Sequence, residues 1–407
     1  MSRAVLIVCA CAAAATTAEG ALSLLYAPYL EAQGYSLSAI GALSSLLAVF
    51  RLASRVPAGT VYRPFRARIH LAVALLALSV ATSGFALARD HPVAVVVLTA
   101  AHGFAFGSVG TLILAVVIDV TGGRAAGAVM GWYTAVLSTG YALGAFAAGG
   151  LADTTGPAAA LALLGVLPAV TAIALFALPS FGGPRADVER SQGFRGLLAA
   201  GAALDARVWL AFTIVVYINL LADSVDTFFP LYGVAIGLPL AAVGTLKGLK
   251  SAAATFIRFV SGVMFRYLDY RAIDVWAVIL SGAATVVLPR VSAFGALVAL
   301  FILLGLTRGI LRVTSAATVA ELRREGRDVG LASGVYNAGL DVGAIAGPAL
   351  GGVLGTALGL ATMFQIVGVA SVVMYFAVAL ASAPGRSALR AGLRASGRRS
   401  APALRRP

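Results

Sequence analysis

The sequence predicts an all-α membrane protein with twelve spanning helices, built as two pseudo-symmetric six-helix halves. Three observations carry that expectation. The chain is 60% hydrophobic and 11% charged, whereas about a quarter of the residues in a soluble domain are charged. Apolar runs of about 20 residues recur along its length, each long enough to cross a bilayer as a helix. It also contains an internal repeat. Gly127-Ala-Val-Met-Gly131-Trp-Tyr133, followed by Gly140-Tyr-Ala-Leu-Gly144-Ala-Phe-Ala-Ala-Gly149, has a later copy in Gly330–Gly352 at an offset of 203 residues (Gly127 to Gly330).

One ungapped register extends that offset over most of each half. It pairs Gly34 with Gly237, Gly41 with Gly244, Arg55 with Arg258, Gly59 with Gly262, Arg63 with Arg266, Gly123-Arg124 with Gly326-Arg327 and Tyr133 with Tyr336. Glycine enrichment alone supplies scattered matches, not this set together with its arginines. Parallel repeats of this kind place the working site between the halves, near mid-membrane.

The spans are expected at 4–29, 37–58, 70–88, 93–118, 126–150, 157–179, 208–232, 240–262, 272–289, 293–316, 329–353 and 357–382. The first follows Arg3 and imitates a signal peptide. Its apolar run continues to Leu30, so it is read as a retained helix. Cys9 and Cys11 lie two apart in this span, on different faces, and imply neither a disulfide nor a metal site. The organisation that follows is a first six-helix bundle over 1–180, a Gly/Pro/Arg-bearing connector over 181–207, a second bundle over 208–383 and a basic tail over 384–407. The tail places Arg386, Arg390, Arg394 and Arg398 four apart, but its Ser/Ala/Pro/Arg-rich composition favours disorder with loose membrane contact.

Charge sets the orientation. With the N-terminus inside, the inner segments hold Arg3, then Arg63, Arg66 and Arg68, then Arg124, then four arginines of the connector, then Arg266 and Arg271, then Arg323, Arg324 and Arg327, and the tail; the opposite side has Arg89 and Arg290. This bias implies a multi-pass protein of the cell inner membrane with both termini cytoplasmic. It also accounts for the net charge of +14 without a nucleic-acid partner.

The chain resembles the major facilitator superfamily over nearly its full length. The repeated Arg55-x-x-x-Gly59-x-x-x-Arg63 and Arg258-x-x-x-Gly262-x-x-x-Arg266 follow spans two and eight. Gly343-Ala-Ile-Ala-Gly347-Pro348-Ala-Leu-Gly351-Gly352 is similar to the glycine-rich helix-five motif of the family's antiporters. It is complete only in span eleven, since Ala145 stands at the proline position of span five, and both loop motifs carry Arg where the family usually has Asp. The resemblance implies the superfamily fold, transport by alternating access, and gating roles for Gly59, Arg63, Gly262 and Arg266. It points toward the bacterial efflux branch.

Ionisable groups inside the spans are expensive and mark pathways; an acid at the centre of a helix costs roughly 2.5–3.5 kcal/mol on the insertion scale. Thr16, Glu19, Ser23 and Tyr26 form one stripe in span one, Asn219, Asp223 and Asp226 another in span seven, and Asn337 and Asp341 share a face in span eleven. Thr134, Ser138 and Tyr141 form an uncharged stripe in span five. Asp341, Asp223 and Glu19 are the expected proton-coupling groups, because alternating access can move a carboxylate between an apolar setting and a cation. Asp226, Asn219, Lys247, Lys250, Arg308, Asn337 and His102 are the candidate substrate contacts. Arg55, Arg258 and Arg312 are read as snorkelling from the cytoplasmic ends, and Asp274 as close to water. That leaves Arg51, Lys247, Lys250 and Arg308 against Glu19, Asp223, Asp226 and Asp341, a balance that gives no sign for the substrate's charge.

The sequence holds no Gly-x-x-x-x-Gly-Lys-Ser/Thr loop and no His-Glu-x-x-His motif. No enzyme activity, cofactor or metal is expected; the expected partners are protons, a small-molecule substrate and the lipid bilayer, and the expected state is a monomer. The functional expectation is proton-coupled export of a small organic solute, with proton-coupled uptake of an anionic metabolite and a transport-inactive receptor or assembly factor as the alternatives.

Overall fold

The computed structural model describes residues 3–121, 126–177, 206–267, 270–324, 329–382, 385–387 and 389–390. Nearly all of the connector and most of the tail expected from the sequence therefore lie outside the described residues. Twelve long helical segments follow one another: α1 (Arg3–Glu31), α2 (Leu37–Val61), α3 (Ala67–Gly84), α4 (Pro92–Thr121), α5 (Ala126–Thr155), α6 (Pro157–Ala174), α7 (Ala206–Ala235), α8 (Leu240–Tyr267), α9 (Tyr270–Val287), α10 (Phe294–Arg324), α11 (Val329–Leu358) and α12 (Leu360–Ala381). Among the described residues eleven of these are long and apolar enough to cross a membrane. The remaining one, α8, carries Lys247, Lys250 and Arg258. Two details depart from the expected spans. α6 is interrupted at Val166, just before Pro168, whose ring cannot donate to the preceding turn. α10 runs on to Arg324, two turns past the expected end.

Packing repeats as the sequence does. α1 lies along α5 as α7 lies along α11, α2 along α4 as α8 along α10, and the halves meet through α2 against α11 and α5 against α8. Among the described residues the four glycines with positive φ are two repeat pairs: Gly34 (82°) with Gly237 (90°), and Gly156 (84°) with Gly359 (80°). They make the tight turns after α1 and α7 and after α5 and α11, where a Cβ would be strained. Close helix contact is matched too. A Cβ on Gly140 would meet the Ala13 carbonyl at 2.7 Å, and one on its counterpart Gly343 would meet that of Val216 at 2.6 Å. The small-residue spacing thus brings the α1–α5 and α7–α11 backbones together.

The two ends of the molecule differ. On the side away from the chain termini a single apolar core joins both halves, with Leu24, Leu25 and Phe85 packed together with Phe228, Phe229, Phe301 and Phe364. Toward the terminus side it divides: one core around Cys11, Leu71, Leu75 and Ile113, another around Ile214, Tyr217, Val278 and Tyr375. Hydrogen bonds close the joined side. Asp153 at the end of α5 accepts from the backbone N–H groups of Leu240 and Ala241 at 2.9 Å each, capping α8. Its repeat counterpart, Thr356 of α11, accepts from the N–H of Ser38 in the first turn of α2 at 2.9 Å. The body is a fork, closed on the far side and parted on the terminus side, with the polar residues gathered where the prongs separate.

Candidate functional site

In the first half α1, α2, α3 and α4 bring four polar side chains together. The Arg51 guanidinium of α2 donates to Glu19 Oε1 at 2.5 Å, and His102 Nε2 of α4 lies 2.8 Å from Glu19 Oε2. His102 Nδ1 is 3.0 Å from Thr82 Oγ1 of α3. Thr82 donates its only hydroxyl proton to the Leu78 carbonyl at 2.7 Å, so it accepts from Nδ1–H. A single further proton must then lie between Nε2 and Oε2, carried by the imidazole or by the carboxyl. His102 is fully buried and stacked on Phe106, which also meets Arg51 at 4.9 Å.

The second cluster ties the halves together. Lys247 Nζ of α8 donates to Ser23 O (2.5 Å), Ser23 Oγ (2.9 Å) and Asp226 O (2.8 Å). Its three protons are thereby committed to α1 and α7, which removes it from the expected substrate contacts. Tyr141 of α5 donates to the same Ser23 hydroxyl. Lys250 meets Asp226 Oδ1 at 2.5 Å; Arg308 of α10 meets Asp226 Oδ2 at 3.4 Å and Asp223 at 4.0 Å. Asn219 is turned to structure, donating to the Leu340 carbonyl at 2.7 Å and so joining α7 to α11. A small pocket inside the second half reaches Lys250, Thr307, Arg308, Tyr217 and Ser281.

The third cluster joins the expected Asp341 to arginines expected to snorkel from the cytoplasmic ends. Arg55 does not snorkel: it pairs with the buried Asp341 across the α2–α11 interface at 2.9 Å. Its repeat counterpart Arg258 reaches from α8 to α5 and donates to Ser138 Oγ at 2.9 Å. Ser138 is itself the counterpart of Asp341, so one register position holds an acid in one half and a hydroxyl in the other. Arg312 lies within the electrostatic reach of Arg308, Asp223 and Arg55. Asp274 is likewise buried, accepting from the Thr314 hydroxyl, rather than close to water.

The clefts of this site are open to solvent-sized access. Side chains of Arg51, Arg55, Arg308 and Asp223 keep 26%, 37%, 25% and 26% of their surface exposed. Deep in a spanning helix, charged surface of this kind faces a polar cavity rather than acyl chains. Of the expected gating residues, Gly59 has room for a Cβ, which would meet the Thr111 side chain at 4.0 Å, and Arg63 caps its own helix end through the carbonyls of Thr60 and Tyr62 at 3.0 and 2.9 Å. Gly262 and Arg266 belong to α8, but their side chains lie outside the described residues, and Asn337 is exposed on α11 beside Tyr336.

Arg51, Arg55, Ser138, Tyr141, Arg258 and Arg312 were not among the expected site residues. The repeat register held a usable signal for three of them, since Arg55 is matched with Arg258 and Ser138 with the expected Asp341.

Two helical bundles related by a repeat, parted around a charge-lined cleft, define a membrane carrier. A family model described as Major Facilitator Superfamily matches residues 8–292 and 268–406, and the chain belongs to that family of transporters. No curated protein matches the chain. Among solved structures it is similar to the nucleoside transporter NupG, at a TM-score of 0.74 with 15% identity over 93% of this chain and 98% of that one. It is also similar to a bacterial homologue of the human lysosomal transporter Spinster in an inward-facing, unoccupied conformation, at 0.73 with 12% identity over 97% and 99%. At these identities the likeness is one of fold.

Proposed function

We propose that the chain is a proton-coupled secondary transporter of the inner membrane that exports a small organic solute by alternating access, with both termini in the cytoplasm. The observation that carries the coupling is Glu19, held between Arg51 and His102 with one proton to share. Loss of that proton leaves a carboxylate that keeps Arg51 bound. Gain of a proton at Glu19 releases Arg51, and with it a tie between α1 and α2. Thr82 of α3 faces the pair from the other side of His102, and Tyr141 of α5 and Lys247 of α8 lie within its electrostatic reach. Asp223, half-open and only 4.0 Å from Arg308, is the second carboxylate proposed to exchange protons. Asp341, paired with Arg55, is proposed as a gate between the halves. Export rests on the glycine-rich motif of α11.

The test uses the full chain in proteoliposomes with a panel of radiolabelled organic anions, cations and nucleosides. At least one solute should move against its gradient under an imposed pH difference and exchange with itself at equal pH. Glu19→Gln should keep the exchange and lose the pH-driven movement; pH-driven movement at the wild-type rate in that variant would overturn the coupling role. Uptake of an anionic metabolite is the second reading, suggested by Lys250 and Arg308 in the second half. The direction of flux under an inward proton gradient decides between them.

A further inference from the structure

We infer that the small cavity between α7, α8, α9 and α10 binds a monatomic inorganic anion, of the chloride class, which supplies in the second half the negative charge that Glu19 supplies in the first. Its occupancy requires no transport in either direction.

The charges beside the cavity form one connected group. Asp226 Oδ1 lies 2.5 Å from Lys250 Nζ and 3.9 Å from Lys247 Nζ; Asp226 Oδ2 lies 3.4 Å from Arg308, which lies 4.0 Å from Asp223. Among the described residues no other carboxylate lies within 4.0 Å of these three cations. Three positive charges therefore meet two negative ones, and both lysines are buried. A buried charge without a counter-ion is costly, and an anion that joins the group lowers that cost. The donors for such an anion are at hand. Lys247 has its three protons on Ser23 and Asp226, but among the described residues Lys250 bonds Asp226 alone and keeps two.

Lys250 and Arg308 line the cavity together with Ala222, Tyr217, Ser281 and Thr307, and the rest of its wall is apolar. Its volume is about 20 Å³, enough for one particle of about the size of water. That suits a monatomic anion and is too small for an organic carboxylate. Thr307 donates to the Leu303 carbonyl at 2.9 Å, and a hydroxyl rotor of this kind can turn its proton toward an anion. The repeat shows what the cavity replaces. Ala222 is the register counterpart of Glu19, whose carboxylate lies 2.5 Å from Arg51 and 2.8 Å from His102. Gly305, the counterpart of His102, packs on the Lys250 backbone. Where the first half sets an acid beside its arginine, the second has a methyl group, a cavity and one cation in excess.

The probes are sodium chloride and sodium bromide, with sodium gluconate making up constant ionic strength. The melting temperature of the full chain in detergent is read against halide concentration. It should rise with chloride and with bromide, and saturate, as binding to the folded state requires. Ala222→Glu places a carboxylate at the cavity and should melt in gluconate as the wild type does in chloride, with the halide response lost. Ala222→Leu fills the cavity with all five charged groups kept, and should lose the response without that gain. A bulk salt effect would persist in both variants. Thr307→Val guards against a folding defect at Ala222, since it keeps the shape of the wall; it should weaken halide affinity about fivefold, the size of one hydrogen bond. A wild type that melts alike in chloride and gluconate holds water there and overturns the proposal. So does a halide response unchanged in the Ala222 variants or, if those do not fold, in Thr307→Val. Loss of pH-driven flux has no bearing on this readout, so failure of the transport reading leaves the site standing.

Discussion

The α2–α11 contact and the α5–α8 contact are the same contact made twice. Arg55 meets Asp341 in one, and Arg258 meets Ser138 in the other, each at 2.9 Å. The scaffold around them is matched to the glycine, from the turn pair Gly34 and Gly237 to the close approaches at Gly140 and Gly343. The difference is one carboxylate. Where the repeat is kept, residues build the fork; where it is broken, an acid in one half stands opposite a hydroxyl position in the other. Glu19 and His102 make the same point in the first half, because their counterparts, Ala222 and Gly305, cannot titrate.

That comparison can be broken at several places. The largest effect is expected from packing. Gly140→Leu and Gly343→Leu would each drive a side chain into a facing backbone, so both should lose folded protein in size-exclusion profiles, and by similar amounts because the sites are equivalent. A loss at one without the other would mean that the halves do not share a load. Next is Glu19→Gln, which should abolish pH-driven flux while exchange at equal pH persists. Removing that acid leaves the partly exposed Arg51 without its carboxylate, and a stability loss of about 1–3 kcal/mol should accompany it in denaturation.

Ser138→Asp sharpens the comparison further by restoring the missing acid. It should pair Arg258 as Asp341 pairs Arg55, and raise the melting temperature of the full chain, since a charge-assisted hydrogen bond contributes about 1.5–3 kcal/mol. An unchanged or lower melting temperature would mean that the two contacts are not equivalent. The smallest effect is expected at the closed end. Asp153→Ala removes a helix cap worth about 1 kcal/mol, and should shift the conformational balance toward a far-side opening more than Thr356→Val does, since a carboxylate binds two backbone donors and the hydroxyl one.

Much of the fold was legible because lipid imposes simple rules. Apolar length located the spans, and the register of glycines and arginines exposed the duplication. The site was less legible for a physical reason. Arg55, Arg258 and Arg312 lie near enough to helix ends to reach water if their helices stand alone, and sequence does not say which face of a helix meets its neighbour. Only the crossing of α2 with α11 shows that Arg55 turns inward. Lys247 illustrates the converse: a lysine deep in a span looks like a ligand until its three protons are found on Ser23 and Asp226. The His102 contact with Glu19 links residues 83 apart and leaves no trace in spacing.

The central claim is that protonation at Glu19 moves the fork. Spin labels at Gln33→Cys and Leu358→Cys, in a Cys9→Ala and Cys11→Ala background, would report the far-side distance between halves by pulsed electron resonance without needing a substrate. Across an imposed range from about pH 5 to about pH 8, the distance distribution of the wild type should shift. In Glu19→Gln it should stay fixed at all pH values. A shift that persists in Glu19→Gln, or a wild type that does not respond to pH, would contradict the account.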